Sequence, residues 1–284
     1  MLKYILLGLF LNFGAFTTLQ GQNEASEVNK IANAPWESEE VSEEIVWKYH
    51  QFEDLFNSRQ SITVFEVDLS KETIEVALPH VESGFVSTSE FGEQVGAIAA
   101  INGSFFNTKT GGSTVFLKEN DSIYAKTGEK FTSYRENAGF AISQHGDISV
   151  IKCPDQGWES LVEHSSILAS GPLLLDRDQM VDQKDQAFNT NRHPRTAIGI
   201  TKDNRLIAVV VDGRNTNAHG VSIKELSIIM KALGCTDAMN LDGGGSSTAW
   251  VKGHGVVNYP SDNKKFDHKG ERAVANALCF KLKN

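Results

Sequence analysis

Cysteine is scarce, and what there is does not cluster: Cys153, Cys235 and Cys279 are the whole set. Three widely spaced thiols allow at most one internal bridge and show no metal-ligand spacing, so a disulfide scaffold is excluded. Buried free thiols are the expectation. A dense cluster of His and Asp of the kind that builds a two-metal centre is also missing. Positive charge is short, with 27 Lys and Arg against 36 Asp and Glu and a formal charge of −9. That balance argues against nucleic acid and anionic membrane surfaces as main partners and leaves room for a local basic pocket. After residue 21 no apolar run is long enough to cross a bilayer, so no membrane span is expected.

What the chain does contain is ordinary globular composition, 40% apolar and 22% charged, over a length that suits one large domain or two small ones. Residues 1–21 stand apart. Lys3 precedes an almost unbroken apolar stretch from Tyr4 to Phe16, and a small residue, Gly21, follows. This is the layout of a secretory signal peptide, with cleavage expected after Gly21 and export to the periplasm or beyond the cell. Residues 22–44 are rich in Glu, Ser, Asn and Ala and read as an acidic mobile leader with little to bury. The domain proper is expected over 45–284.

From Ile45 the pattern turns strand-rich. Segments 45–52, 61–69 and 73–78 read as successive strands, the last two joined as a hairpin through Ser70-Lys71-Glu72. The 61–69 run does not alternate cleanly, which predicts cover on both faces. One or two helical turns are expected over 91–95 behind Ser89, then a strand at 97–101 that delivers Asn102-Gly103-Ser104. Asn102-Gly-Ser also fits a glycosylation sequon, read here as coincidental. Short strands follow at 112–117, 122–126, 138–143 and 148–153. The apolar run 166–175 is broken at Ser170-Gly171-Pro172, where a bulge or a close approach is expected. Residues 176–192 read as a loop or lid. Strands 193–201 and 205–214 form a hairpin and bring Arg195 and Arg214 to one edge. Ser222-Ile-Lys-Glu225 is a capping box, and Leu226, Ile229, Met230 and Leu233 keep helical spacing up to Gly234, so the chain's one prominent helix is expected over about 222–233.

The stretch that organises the rest is Asn240-Leu-Asp-Gly-Gly-Gly-Ser-Ser-Thr248, between two apolar runs. A carboxylate, Asp242, stands before Gly243, Gly244 and Gly245, and hydroxyls follow at Ser246 and Thr248. Glycines are needed where the main chain takes positive φ or something approaches it closely, and three in a row expose N–H groups that cradle an anion. Taken alone, Asp-Gly and Gly-Gly also make plain turns. Asp212, before Gly213, is read equally as a turn former and as a second carboxylate for chemistry. His193 is read as an acid or base and, no less, as a cap on a strand entrance.

Five blocks in order, Asn102-Gly-Ser-Phe-Phe, Ser170-Gly-Pro, His193-Pro-Arg-Thr-Ala-Ile-Gly, Val211-Asp-Gly-Arg and Asn240-Leu-Asp-Gly-Gly-Gly-Ser-Ser-Thr, resemble the phosphodiester glycosidase domain, from about residue 60 onward. The resemblance implies a single α+β domain of mixed, strand-rich sheets with one helix packed on them. It also implies hydrolysis of an N-acetylglucosaminyl phosphodiester or a related glycosyl phosphate, and bacterial members are often exopolysaccharide-associated. The residues fit that chemistry. A departing phosphate monoester, with a second pKa near about 6, needs less acid assistance than a sugar alkoxide. It needs cations and N–H donors, here Arg195, Arg214 and the glycine backbone, and a carboxylate near the oxocarbenium, Asp242 or Asp212. Asn102, Gly103, Ser170, Thr196, Asn240, Ser246 and Thr248 are candidates to hold the carbohydrate. No cofactor is required on this reading, and a structural or substrate-bound divalent cation is left open, as is the oligomeric state. The rivals are a non-catalytic glycan-binding or exopolysaccharide assembly protein, with Trp250 or Tyr259 stacking on sugars, and an α-glycosidase of uncharged linkages.

Overall fold

Strand β14 (Arg205–Val211) shows why the fold is layered. Leu206, Ala208 and Val210 enter one apolar cluster, and Ile207, Val209 and Val211 enter another. Because side chains alternate along a strand, a run that is apolar at every position must be covered on both faces. Strand β3 (Ser58–Asp68) does the same, with Ile62 and Val64 on one face and Phe65 and Val67 on the other. The two strands pair and form the middle of the largest sheet. Each fully buried Val, Ile or Leu contributes roughly 1.5–3 kcal/mol, so this doubly covered centre carries much of the stability.

The structure is a computed structural model that describes residues 10–128 and 135–283, with side chains described from residue 21. Its large sheet runs β1 (Glu37–Ser42), β2 (Ile45–Leu55), β3, β14, β13 (Arg195–Thr201), β15 (Cys235–Asn240), β11 (Leu173–Asp176) and β12 (Gln179–Met180). On one face lie helices α1 (Phe10–Ala32) and α4 (Ile223–Ala232). On the other lie two five-stranded sheets. The first is ordered β7 (Ser122–Ala125), β6 (Leu117–Glu119), β10 (His164–Ser170), β8 (Ala138–Ser143) and β9 (Ile148–Lys152). The second is ordered β17 (Gly255–Val256), β16 (Ala249–Val251), β5 (Ala99–Asn102), β18 (Ala277–Leu282) and β4 (Ile74–Ala77). Two short helices, α2 (Thr88–Gln94) and α3 (Ala187–Thr190), complete the elements.

Several expectations hold. The hairpin β13–β14 is present in register, and β3 is covered on both faces. Helix α4 starts at the Ser222/Glu225 capping box and ends at Gly234, φ 85°. Others need correction. Every strand ladder among the described residues is antiparallel, and the one parallel bridge, Gly84 with Gly111, is isolated, so the sheets are not mixed. Strands β3 and β4 form no hairpin: β3 pairs with β2 and β14, and β4 pairs with β18 in another sheet. Helix α2 is capped by Ser87 with Glu90, not by Ser89, whose N–H and hydroxyl go to Glu271.

Helix α4 is not the single prominent helix, because α1 is longer and lies beside it. Residues 22–44, read as having little to bury, carry the end of α1 and all of β1. Ile31 is fully buried, and Glu27 accepts the Phe56 N–H at 2.8 Å, which pins α1 to the β2–β3 turn. Residues 1–9 of the expected signal peptide lie outside the described residues. Helix α1 runs without a break across Gly21.

Candidate active site

Register brings the site to one edge of the large sheet. Arg195 at the start of β13 pairs with Val211 at the end of β14, and Ala197 pairs with Asn240 at the end of β15. Asp212, Arg195 and Asp242 therefore emerge side by side. The loop 242–248 then crosses from the large sheet into β16. The two apolar runs that flank the motif are strands, but they belong to different sheets and do not pair. Asn102, at the end of β5 and fully buried, holds this crossover. Its Nδ2 donates to the Asp242 carbonyl at 2.8 Å, and its Oδ1 accepts from the Thr196 hydroxyl at 2.7 Å and the Thr248 N–H at 3.1 Å. Asn102 and Thr196 thus spend their polar groups on the scaffold.

The three glycines act by clearance. A Cβ at Gly243 would lie 2.7 Å from the Pro194 carbonyl, and one at Gly244 would lie 2.9 Å from the Arg214 guanidinium. At Gly245 it would run into the Asp262–Arg272 ion pair. So three separate groups close on the main chain within three residues. The expected row of anion-binding N–H groups is less complete: Gly244 donates to the Pro194 carbonyl at 2.8 Å, and the Gly243 N–H favours the charge of Asp242 itself. Gly103 follows the same logic, since a Cβ there would strike the Asn276 side chain.

Asp242 keeps partial exposure but is deeply set, and this desolvation pushes its carboxyl up to about 6. The Ser246 hydroxyl, the Gly243 N–H, Arg272 and Arg135 pull the other way. Ser246 faces the carboxylate without closing a hydrogen bond of ordinary geometry. Arg195 is 2% exposed and anchored through carbonyls: Nε to Val221 at 3.2 Å, Nη2 to Phe188 at 2.5 Å and to Asn191 at 3.2 Å. Burial lowers its pKa to about 10, so it keeps its charge at neutral pH. Phe188 lies between Arg195 and Arg135, whose guanidinium carbons sit 4.8 and 4.2 Å from the ring centre. Arg214 is exposed, with its backbone at φ 61° and its guanidinium against Gly244. His193 is half-buried, and burial, Arg195 and Arg214 lower its pKa, which leaves it neutral at neutral pH. An acidic chain thus gathers four arginines, 135, 195, 214 and 272, near Asp242, the last of them paired with Asp262.

Asp212 is different in kind. It is 1% exposed and saturated: Ser61 donates at 2.6 Å, Asn258 Nδ2 at 2.9 Å and the Tyr259 N–H at 2.9 Å. Burial still pushes it up to about 6. Asn258 also donates to the Ser247 carbonyl and accepts the Ala249 N–H, so Asp212 fixes the far side of the crossover loop. Replacing it with Ala strands three buried donors. We expect Asp212→Ala to lose on the order of 3 kcal/mol in urea unfolding, and a loss under about 0.5 kcal/mol would remove this structural role.

Six buried polar atoms near the crossover have no partner among the described residues: Ser170 Oγ, Asn240 Oδ1, Ser246 Oγ, Ser247 Oγ, Thr248 Oγ1 and Asn276 Nδ2. Unpaired buried groups are costly and rare, and a concentration of them marks a place built for a polar ligand. The sequence reading named Ser170, Asn240, Ser246 and Thr248. Ser247 lies in the same motif, whereas no sequence signal marks Asn276, Asn258, Ser61, Phe188, Arg135 or the Asp262–Arg272 pair. Trp250, considered for sugar stacking, is 4% exposed and packed on Gly92. The break at Gly171-Pro172 is a close approach, with Asn137 Oδ1 2.7 Å from where a Cβ would stand. Among the described residues no group of three or more His, Cys, Asp or Glu gathers as metal ligands do, and no helix is long and apolar enough to cross a membrane.

At this edge the β-sheets bring a carboxylate, several arginines and hydroxyls without a partner among the described residues into one place, a polar and positively charged candidate site. Comparison with known proteins agrees, since the phosphodiester glycosidase family model matches residues 95–281, and the chain belongs to that family. The mouse N-acetylglucosamine-1-phosphodiester alpha-N-acetylglucosaminidase is 25% identical over 200 residues, which is 65% of this chain and 37% of the mouse protein. A prophage-derived uncharacterized protein of Bacillus subtilis is 38% identical over 89 residues, 31% of this chain and 13% of that protein. The chain thus spans well under half the length of these relatives. The zebrafish N-acetylglucosamine-1-phosphodiester alpha-N-acetylglucosaminidase catalytic domain, auto-inhibited by its pro-peptide, shares the fold. Its TM-score is 0.68 at 22% identity, covering 88% of this chain and 85% of that one. A hypothetical protein from Synechocystis gives 0.65 at 15% identity, with 88% and 64% covered.

Proposed function

We propose that this chain is an exported hydrolase that cleaves the anomeric C–O bond of a glycosyl phosphodiester, with α-N-acetylglucosaminyl as the sugar. The observation that carries the reading is the pairing of Asp242 with two guanidiniums that differ in role. Arg195 is fixed by three carbonyls, and Arg214 is exposed, strained and makes no hydrogen bond among the described residues. Such a pair suits a phosphate, which takes bidentate contacts from Arg and leaves the sugar as a stable anion. The Asp242 carboxylate then faces the positive charge that grows on the anomeric carbon. His193, neutral at neutral pH, is placed near both arginines to accept a proton from water. An α-glycosidase of uncharged linkages has no use for this guanidinium pair. Export rests on the apolar N-terminal stretch together with family membership.

The test is hydrolysis of an N-acetylglucosaminyl phosphodiester by the purified chain in oxygen-18 water. Label in the released sugar supports C–O cleavage, label in the phosphate overturns it, and no release from this or other glycosyl phosphates ends the hydrolase reading. A pH dependence follows. If Asp242 acts as an anion, protonation removes activity, so log kcat/KM should rise with unit slope up to about pH 6 and then level. A profile that falls with rising pH through that range would assign Asp242 as the acid instead.

A further inference from the structure

A second concavity lies on the far side of Asp212. It encloses about 480 Å³ between β1 and β2 of the large sheet and the segment from His254 to His268. That volume is within the range of small-molecule sites. Trp47, Tyr49 and Tyr259 supply aromatic walls, and Glu37 and Glu39 supply carboxylates. His254 pairs with Glu39 at 3.0 Å and meets Trp47 edge-on at 5.5 Å. Tyr259 is held flat against Phe266, with ring centres 3.9 Å apart.

This cavity and the candidate active site share a wall. The Tyr259 N–H donates to Asp212 at 2.9 Å, and the Tyr49 hydroxyl lies 3.4 Å from Ser61 Oγ, whose single proton goes to Asp212. Further along the same segment, the Asp262–Arg272 pair closes on Gly245. The two sites are opposite in charge, with arginines around Asp242 and glutamates around Trp47. A ligand reaching from one to the other must therefore be anionic at one end and neutral, with hydroxyls to donate, at the other. Flat aromatic walls with carboxylate acceptors match a pyranose ring, which offers an apolar C–H face and an equator of hydroxyl donors.

We propose that the cavity is a second sugar subsite, binding a pyranose of the glycan attached to the phosphodiester by stacking on Trp47 and Tyr49 and by hydrogen bonds to Glu37 and Glu39. The connection to a phosphodiester rests on the hydrolase reading, while the binding itself can be read without turnover.

The test titrates an unphosphorylated N-acetylglucosamine trisaccharide into the full-length chain labelled with nitrogen-15, following the Trp47 indole N–H, which is buried without a partner among the described residues. The expected result is a saturable shift. Affinity should weaken roughly tenfold in Glu39→Gln and further in Trp47→Leu, and stay unchanged in Lys202→Ala, an exposed turn residue at the opposite end of β13. Glu39 is exposed on an edge strand, so its variant folds normally and keeps the test decisive if Trp47→Leu loses stability. No saturable shift up to about 10 mM, or an affinity insensitive to Glu39→Gln and Trp47→Leu, overturns the subsite. A chain that binds the trisaccharide but leaves every glycosyl phosphate intact overturns the hydrolase reading and keeps the subsite.

Discussion

Asp242→Asn should abolish sugar release while leaving the protein as stable as before or slightly more so. The carboxylate is desolvated, and its pKa near 6 means that holding the charge there opposes folding at neutral pH. The sign is direct: the folded state binds the Asp242 proton more tightly than the unfolded chain, so stability falls as pH rises from about 4 to about 6. Asn is of the same size, carries no charge and leaves the Asp242 carbonyl free to accept from Asn102. The melting temperature should hold or rise. The rate should fall at least about a thousandfold, because the charge facing the anomeric carbon is gone and the surrounding arginines then oppose any cation there. Thermal unfolding and free-sugar release measured on the same preparation decide the matter. Activity within tenfold of the parent would remove Asp242 from the chemistry.

Arg214→Gly separates stability from activity in the opposite direction to most surface changes. At φ 61° an arginine sits in the left-handed region, which costs a side-chain-bearing residue roughly 1 kcal/mol and glycine nothing. The guanidinium is exposed and makes no hydrogen bond among the described residues, so its removal breaks no contact the fold needs. Arg214→Gly should gain about 0.5–1 kcal/mol in stability and lose on the order of a hundredfold in kcat/KM for a phosphodiester. An uncharged glycoside with the same sugar should show no such loss. A variant that keeps full kcat/KM on the phosphodiester would dismiss Arg214 as a phosphate ligand. The same change at Arg195 is not so separable, since the buried guanidinium holds the Phe188 and Asn191 carbonyls as well as sharing that of Val221 with the His193 N–H.

What the sequence made legible was local. The Ser222/Glu225 box, the Lys202-Asp203-Asn204 turn between β13 and β14 and the apolar run into Asp242 each carry their signal within a few residues, and each is present. The motifs fall together at one edge of the sheet because they mark strand ends and glycines, which are readable one block at a time. Partners distant in sequence were not readable. Ser61 meets Asp212 across 151 positions, and nothing near Ser61 marks it as a donor to a buried carboxylate. Asn276 lies 172 positions from the Ser104 N–H it caps. The turn at 70–72 looks like a hairpin because turn chemistry is local, whereas the choice of β18 over β3 as the partner of β4 is made by packing. Helix α1 was hidden by polar composition, since its docking rests on a short apolar pair, Val28 and Ile31, and on the carboxylate of Glu27.

Strand β18 lies inside its sheet, between β5 and β4, although it comes last among the strands. Just before it, Asn276 braces Gly103 and caps Ser104, beside the residue that holds the Asp242 crossover. The candidate site is therefore not complete at Thr248: Asn258, Arg272 and Asn276 follow, and Asn276 reaches back across 172 positions to Ser104. The candidate site thus leans on the strand that comes last in the sequence, and a chain cut short before β18 should lose the bracing of Gly103 and Ser104 along with the ladder between β5 and β4.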